Sequence, residues 1–253
     1  MPLVEELESV GDWLFRWRSY LPLAAAASAF AGLEDFRYPY GSHLLDELWE
    51  AFCLAVSFSG LAIRAVTVGS TISRTSGRNT AAQLAADLNT TGMYSIVRNP
   101  LYLGNFVAVL GVVIFLRVWW IALIYVLTFA LYYERIIFAE EMFLRRKFGE
   151  RYVEWASRTP AFFPRFSQWR PPSLPFNWKK VLRREYHGPA AVVASMFLLE
   201  AAGDLYSGHG LEIDSLWRIL LPLAFGFYFA VRFLHKRTDV LRTGRKGREW
   251  ARS

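Results

Sequence analysis

Long apolar stretches, separated by short polar connections, dominate the chain. A helix needs about 20 apolar residues to cross the hydrocarbon core of a bilayer, and fewer where polar side chains reach out from its ends. Six stretches meet this requirement, at about 13–33, 44–69, 101–116, 119–139, 189–206 and 216–234. The pattern therefore predicts an all-α, polytopic integral membrane protein with about six transmembrane helices.

Three features of these predicted spans affect the arrangement. The third and fourth spans are joined only by a very short connection at Arg117, so they form an antiparallel hairpin. The outer turn of the second span carries Asp46, Glu47 and Glu50. The leader of the first span is acidic, which favours a retained helix over a signal peptide.

The distribution of basic residues predicts the orientation in the membrane. The net charge is +7, and the basic residues flank apolar segments instead of forming a nucleic-acid-binding face. With the N-terminus inside, only Arg37, Arg117 and Arg218 of the 29 lysines and arginines lie outside. The positive-inside rule then places both termini in the cytoplasm, and in a bacterium the membrane would be the inner one. We expect the tail to bind anionic lipid head groups through Lys236, Arg237, Arg242, Arg245, Lys246, Arg248 and Arg252.

Three regions follow from the placement of motifs and prolines. Residues 1–90 carry the first two spans and a loop, 91–166 the motif region with the third and fourth spans, and 167–253 a linker, the last two spans and the basic tail. The single cysteine, Cys53, lies within a span and is typical of a small core residue. The four histidines show no metal-ligand spacing, so the sequence predicts no metal site.

The first polar motif runs from residue 91 to 105 and leads into the third span. Pro100 suits the first turn of a helix, and Gly92 and Gly104 allow close approach of backbone or ligand. Polar side chains then cluster beside the N-terminus of this helix at the membrane surface, where free amides favour a carboxylate or phosphate. These residues are Tyr94, Arg98, Asn99 and Tyr102.

The second polar motif begins at Glu140 and Glu141 and continues the fourth span. Glu141 shares one predicted helix face with an apolar stripe, made of Ile137, Leu144, Phe148, Tyr152 and Trp155. A carboxylate there is costly unless it is paired or used. Because the two spans form a hairpin, Arg98 and Glu141 meet at the same membrane face. They form either a structural ion pair or part of a polar ligand site, and the two interpretations are compatible.

The order R-N-P-L-Y-L-G, helix hairpin, E-E-M-F-L-R-R-K-F-G-E-R-Y and P-A-F-F-P resembles the isoprenylcysteine carboxyl methyltransferase and phospholipid methyltransferase superfamily. The resemblance covers about residues 91–164. It implies an S-adenosylmethionine pocket at the cytoplasmic face and a lateral opening for a lipidic acceptor. The family has histidine where this chain has Asn99, which cannot shuttle a proton near neutral pH.

Carried over residue by residue, the resemblance implies two groups of cofactor-binding residues. The first is Tyr94, Arg98, Asn99, Pro100, Tyr102 and Gly104, and the second is Glu140 and Glu141. We expect Arg98 to hold the cofactor's carboxylate and one glutamate to hold its amino or ribose group. The other glutamate orients the acceptor or takes its proton, so Arg98 and Glu141 are the candidate catalytic residues.

The sequence leaves the acceptor and two other functions open. A phospholipid amine, a lipid phosphate such as that of lipid A, a prenylated carboxylate and a small thiol are all compatible with such a family. A membrane sterol or steroid reductase that uses NADPH can carry a similar R-H-P-x-Y segment. A lipid-binding protein without enzymatic activity is the third class, although it would not require the clustered polar motifs.

Overall fold

The computed structural model describes residues 2–17, 43–71, 87–207 and 214–241. About 80% of these residues are helical, and no strand occurs among them. One 3₁₀ turn covers Phe166–Gln168. The helices are α1 (Leu3–Trp17), α2 (His43–Gly69), α3 (Met93–Ile96), α4 (Pro100–Phe115), α5 (Trp119–Phe148), α6 (Glu150–Arg158), α7 (Trp178–Glu185), α8 (His187–Ser207) and α9 (Ser215–Arg237).

Four helical segments are long and apolar enough to cross a membrane. They are Leu45–Gly69, Trp119–Phe148, Trp178–Tyr206 and Ser215–Arg237, and the shorter α4 is also apolar. The all-α, polytopic membrane fold is therefore confirmed. The first predicted span begins within α1, but most of it lies outside the described residues. The count of six spans and the cytoplasmic placement of both termini stay predictions.

The connection between α4 and α5 is a turn of three residues. It spans 116–118, and Arg117 adopts a left-handed conformation with a φ of 61°. The Arg117 guanidinium forms an ion pair with Asp46 at the start of α2. The predicted helix hairpin is therefore present, and its turn is tied to a third helix.

Small residues allow α2 and α4 to pack at very short distance. A Cβ atom added to Gly60 would lie within 3.0 Å of three backbone atoms of α4. Gly111 meets α2 as closely, and Ser57 donates a hydrogen bond to the carbonyl oxygen of Ala108 at 2.8 Å. Helices in a membrane associate through such close contacts, because lipid tails provide little hydrophobic drive between them. This contact fixes α4, which carries the first polar motif.

The helix α1 lies along α5 and runs antiparallel to it. Gly11 contacts the backbone of Arg135, and the Tyr132 hydroxyl donates to the carbonyl oxygen of Leu14 at 2.9 Å. Closer to the end of α5, Arg146 forms an ion pair with Glu8, which lowers the pKa of that carboxyl group. The acidic leader of the chain thus neutralises part of the basic end of α5.

Of the last three helices, α7 and α8 pack on α2, and α9 packs on α7 and α8. Glu185 of α7 holds the Arg64 guanidinium of α2, with distances of 2.8 and 3.0 Å. The same guanidinium donates to the side chain of Asn105. The helix α8 contacts α2, α4 and α9. Arg64 thereby links α2 to both α7 and α4.

The sequence pattern of residues 137–155 predicts one continuous helix, and this prediction is wrong. The helix α5 ends at Phe148, and α6 begins at Glu150. Between them Gly149 has a φ of 54°, in the left-handed region that glycine adopts without a steric penalty. The chain therefore changes direction immediately after the second polar motif.

We expect Gly60→Ala to destabilise the protein, because the new methyl group meets backbone atoms that cannot rotate away. Overpacking of this kind costs about 1–3 kcal/mol. The measurement is the free energy of unfolding of the purified protein in detergent. The matched control is Gly226→Ala in α9, where an added Cβ meets nothing within 4 Å. Equal stabilities of the two variants would show that the α2–α4 contact tolerates a methyl group.

Candidate functional site

The first polar motif folds as a turn, the short helix α3 and the beginning of α4. Gly92 has a φ of 61°, and its carbonyl oxygen accepts hydrogen bonds from the backbone and hydroxyl of Ser95. The helix α3 then ends at Ile96, and Asn99 lies directly before Pro100 at the start of α4. The Asn99 carbonyl oxygen accepts the first helical hydrogen bond, from the Leu103 amide. The sequence prediction that Pro100 begins a helix is confirmed.

An irregular segment, residues 159–173, is hydrogen-bonded along this motif, and we call it the docking strip. The Arg98 amide donates to the carbonyl oxygen of Pro160 at 2.8 Å, and the Arg165 amide donates to Ile96 at 2.9 Å. The Arg170 amide donates to the buried Ser95 hydroxyl at 2.9 Å. The docking strip therefore fixes the backbone at Arg98 and immediately before it.

Arg98 and Glu141 form the ion pair that the hairpin predicts. Arg98 Nη1 lies 3.0 Å from Glu141 Oε1 and 3.1 Å from Oε2. Their side chains are 20% and 28% exposed, so the pair is sheltered but reachable. Tyr152 of α6 lies beside both charges. Burial, followed by the Glu141 charge, raises the pKa of Tyr152 and keeps its hydroxyl neutral.

A second pair lies beside the first. The Tyr102 hydroxyl donates to Glu140 Oε1 at 2.9 Å. Tyr94 lies close by, and burial together with the Glu140 charge raises its pKa. The indole of Trp155 donates to the carbonyl oxygen of Tyr94 at 3.1 Å, which ties α6 to the first motif. We name the whole set the polar cluster: Tyr94, Arg98, Tyr102, Glu140, Glu141 and Tyr152.

Aromatic rings continue from the polar cluster into the membrane-spanning region. The Tyr102 and Tyr133 ring centroids are 4.7 Å apart, and the Tyr133 ring stacks on Phe129 at 4.0 Å. Phe106 and Phe162 pack edge-on at 5.6 Å within the same group. The polar cluster thus has a rigid apolar floor that joins α4, α5 and the docking strip.

The remaining predicted site residues have structural contacts of their own. The Asn99 amide group donates to the carbonyl oxygen of Ala161 at 3.0 Å, so it holds the docking strip. Pro100 is buried at the first turn of α4. Gly104 faces α2, where an added Cβ would meet Arg64 and Gly60. Close helix packing therefore explains the glycine, and contact of these three residues with a cofactor stays a prediction.

Two parts of the site are absent from the sequence-based assignment. Tyr152 belongs to the F-G-x-x-Y block, so its type and spacing were visible, but its position beside Arg98 depends on the bend at Gly149. The docking strip contributes mainly backbone groups to the contacts above. Backbone carbonyl and amide positions have no signature in residue type, and only the proline-rich ending of the motif indicated that this segment belongs to the site.

Comparison with known families agrees with this architecture. Residues 51–151 match the family model described as phospholipid methyltransferase. This part of the chain is similar to the phospholipid methyltransferase family, in agreement with the resemblance noted in its sequence. The matched range contains all eight predicted site residues and ends just before Tyr152 and the docking strip. The family supports a membrane methyltransferase.

Two curated proteins resemble about a third of the chain. The nickel-cobalt-cadmium resistance protein NccN of Alcaligenes xylosoxydans xylosoxydans is 44% identical over 86 residues, which is 34% of this chain and 40% of NccN. The cobalt-zinc-cadmium resistance protein CzcN of Cupriavidus metallidurans is 42% identical over 83 residues, 33% of this chain and 38% of CzcN. The chain thus matches about two fifths of each relative. No solved structure matches it significantly.

We expect Ser95→Ala to loosen the docking strip. The Ser95 hydroxyl accepts from the part-buried Arg170 amide, and such a hydrogen bond contributes about 0.5–1.5 kcal/mol. Hydrogen exchange at the amides of residues 168–173 should then accelerate by up to about tenfold. Ser157→Ala is the control, because that exposed hydroxyl bonds only within α6. Unchanged exchange in Ser95→Ala would mean that other contacts hold the strip.

Proposed function

We propose that the protein transfers a methyl group from S-adenosylmethionine to a lipidic or amphiphilic acceptor at the membrane surface. The observation that carries this proposal is the pairing of Arg98 with Glu141 beside Tyr102 and Glu140. Two motifs about 40 residues apart in sequence are brought into one sheltered cluster of opposite charges. Such a cluster can bind a ligand that itself carries one positive and one negative group.

The residues of the polar cluster fit the amino-acid part of S-adenosylmethionine. The Arg98 guanidinium has a buried Nε that makes no hydrogen bond to a described residue, so it retains donor capacity. A guanidinium binds a carboxylate with two parallel hydrogen bonds, and a carboxylate binds an ammonium group. A zwitterionic ligand would replace the Arg98–Glu141 ion pair by two new ones, in which its carboxylate pairs with Arg98 and its ammonium group with Glu141. Neither side chain would then be left without a partner of opposite charge.

The chemistry then depends mainly on alignment. When bound, S-adenosylmethionine supplies an activated methyl group, and no metal or covalent enzyme intermediate is required. The protein must hold donor and acceptor at about 3 Å in line and keep water out. The fixed backbone around Arg98 and the aromatic floor provide the rigidity. Glu140, held by Tyr102, is the candidate to orient the acceptor or to take a proton from an amine.

A lipidic acceptor is favoured by apolar side chains exposed beside the site. In the docking strip, Phe163 is 82% exposed and Phe166 is 75% exposed, and Trp169 is half-exposed. Large aromatic side chains are enriched where a membrane protein meets the lipid–water interface. A phospholipid amine, a lipid phosphate or a prenylated carboxylate would each reach the polar cluster from this side.

We also propose that the site faces the cytoplasm and that anionic lipids surround it. Under the positive-inside rule the basic end of α5 and the end of α9 lie on that side. A polar cavity of about 350 Å³ at the end of α9 is lined by Arg183, Lys236 and Arg237, among other residues. Groups of basic side chains at the cytoplasmic membrane surface attract anionic head groups. The basic tail from residue 242 onward lies outside the described residues, and its binding to anionic head groups stays a prediction.

We expect Arg98→Ala to weaken S-adenosylmethionine binding by about 10- to 100-fold, because a charge-assisted hydrogen bond contributes about 1.5–3 kcal/mol. Isothermal titration calorimetry on the full chain in nanodiscs measures the affinity. Transfer of radiolabelled methyl groups to lipid extract measures the activity. Glu141→Gln should also weaken binding, since it removes the charge that pairs with the ligand's ammonium group.

The matched control is Arg158→Ala, because Arg158 is exposed on α6 and pairs only locally with Glu154. It should bind and transfer like the wild type. Wild-type protein that binds NADPH but not S-adenosylmethionine would contradict the proposed function. Equal affinities in Arg98→Ala and wild type would remove Arg98 from the cofactor site while leaving the methyltransferase activity open to measurement.

We expect the docking strip to contact lipid. A spin label on Phe163→Cys or Phe166→Cys, with buried Cys53 replaced by Ala, should be more accessible to oxygen than to a water-soluble nickel complex. The comparison label is at Arg158→Cys, on the exposed face of α6, where the preference should reverse. If the labels at 163 and 166 prefer the nickel complex as strongly as the label at 158, the strip faces water and lateral entry past it is wrong.

A further inference from the structure

Buried carboxylates gather at the end of the bundle opposite the polar cluster. Asp46 and Glu50 come from the first turns of α2, Glu200 from the last turns of α8, and Asp214 directly precedes α9. One carboxylate oxygen of each lies within 4.8 Å of the others. Asp46, Glu50 and Glu200 are buried, and Asp214 is exposed. We call these four residues the acidic cluster.

Carboxylate oxygens in the acidic cluster accept no hydrogen bond from the part of the chain that the structure describes. The Glu50 side chain is 1% exposed, and neither of its oxygens accepts a hydrogen bond from a described residue. Oε2 of Glu200 also accepts no hydrogen bond from a described residue. Trp217 of α9 is also 1% exposed, and its indole N–H lies beside Glu50. Buried polar atoms are almost always satisfied, so the unsatisfied carboxylate oxygens of Glu50 and Glu200 point to a bound partner.

The charges of the acidic cluster require compensation. Arg117 forms an ion pair with Asp46, and its charge also acts on Glu200. Glu50 and Glu200 themselves form no ion pair within the described residues, although they lie close together and are almost fully buried. Two neighbouring carboxylates in an apolar environment repel each other unless a cation or protons lie between them.

We propose that the acidic cluster binds a divalent cation that prefers oxygen ligands, with a size close to that of Ca²⁺. Oxygen ligands of Ca²⁺ lie about 2.3–2.6 Å from the ion, so opposite ligands are separated by up to about 5 Å. The spacing of at most 4.8 Å between the carboxylate oxygens falls within this limit. Mg²⁺ draws its ligands closer, and zinc or copper sites usually include nitrogen or sulfur ligands.

Such an ion would join α2 to α8 and α9, which are remote from α2 in sequence. Its ligands come from α2, α8 and the residue before α9, so coordination would fasten the last two helices to the α2–α4 pair. The ion is remote from the polar cluster, because α4 alone separates the two ends by roughly 24 Å at 1.5 Å per residue. Its role is therefore binding and positioning of helices, independent of methyl transfer chemistry.

The first experiment measures Mn²⁺ binding by the full-length protein in detergent after treatment with EDTA and removal of the chelator. Mn²⁺ bound to protein loses the sharp electron paramagnetic resonance signal of the free ion. We expect one site per chain near neutral pH, with Ca²⁺ as a competitor. The cation should also raise the unfolding temperature, since it binds only the folded state.

Substitutions assign the binding to the acidic cluster. Glu50→Gln and Glu200→Gln should each weaken Mn²⁺ binding by about tenfold or more. The matched control is Glu47→Gln, on an exposed face of the same turn of α2, which should leave the affinity unchanged. Asp214→Asn is the second test, because its exposed position makes it tolerant of substitution. Size-exclusion chromatography and circular dichroism confirm that each variant is folded.

Two outcomes would overturn the proposal. Wild-type protein that binds no Mn²⁺ or Ca²⁺ stoichiometrically would mean that protons hold the carboxylates together. Binding that persists in folded Glu50→Gln, Glu200→Gln and Asp214→Asn would place the ion elsewhere in the chain. Neither outcome bears on S-adenosylmethionine binding, which the Arg98 variants measure separately.

Discussion

The short turn between α4 and α5 is the constraint on which the candidate site depends. With three residues in the connection, the two helices must run antiparallel, so the start of α4 and the end of α5 share one end of the bundle. The close contact of α4 with α2 then fixes the orientation of α4 about its axis. These two constraints bring Arg98 to Glu141 and Tyr102 to Glu140. The ion pair itself is a consequence of the hairpin, and a sheltered pair of this kind adds little net stability.

Much of this arrangement follows from the sequence, for a physical reason. A membrane span must be long and apolar because its backbone has to be satisfied within the helix, and this requirement is visible residue by residue. The bounds of α2, α4, α8 and α9 therefore agree closely with the predicted spans. The pairing of Arg98 with Glu141 was predictable because it needed only the hairpin and the spacing of two motifs.

The rest depended on contacts between segments that no local pattern encodes. Periodicity extended α5 through Gly149, because the apolar residues before and after the bend keep helical spacing. Gly104 could be interpreted as a ligand contact until its packing against Gly60 was known. The acidic cluster was hidden for a similar reason. Asp46 and Glu50 look like a polar helix end, and only the docking of α8 and α9 brings Glu200 and Asp214 to them.

The polar cluster and the acidic cluster lie at opposite ends of the bundle and draw on different parts of the chain. The segment that matches the family, residues 51–151, contains the hairpin and the predicted site residues. The helices α8 and α9 lie beyond it and contribute nothing to the polar cluster, yet they supply Glu200, Asp214 and Trp217 at the opposite end. Buried carboxylates are costly, and an apolar contact would hold these helices at lower cost. The proposed cation would offset that cost and would make the docking of α8 and α9 conditional on its presence.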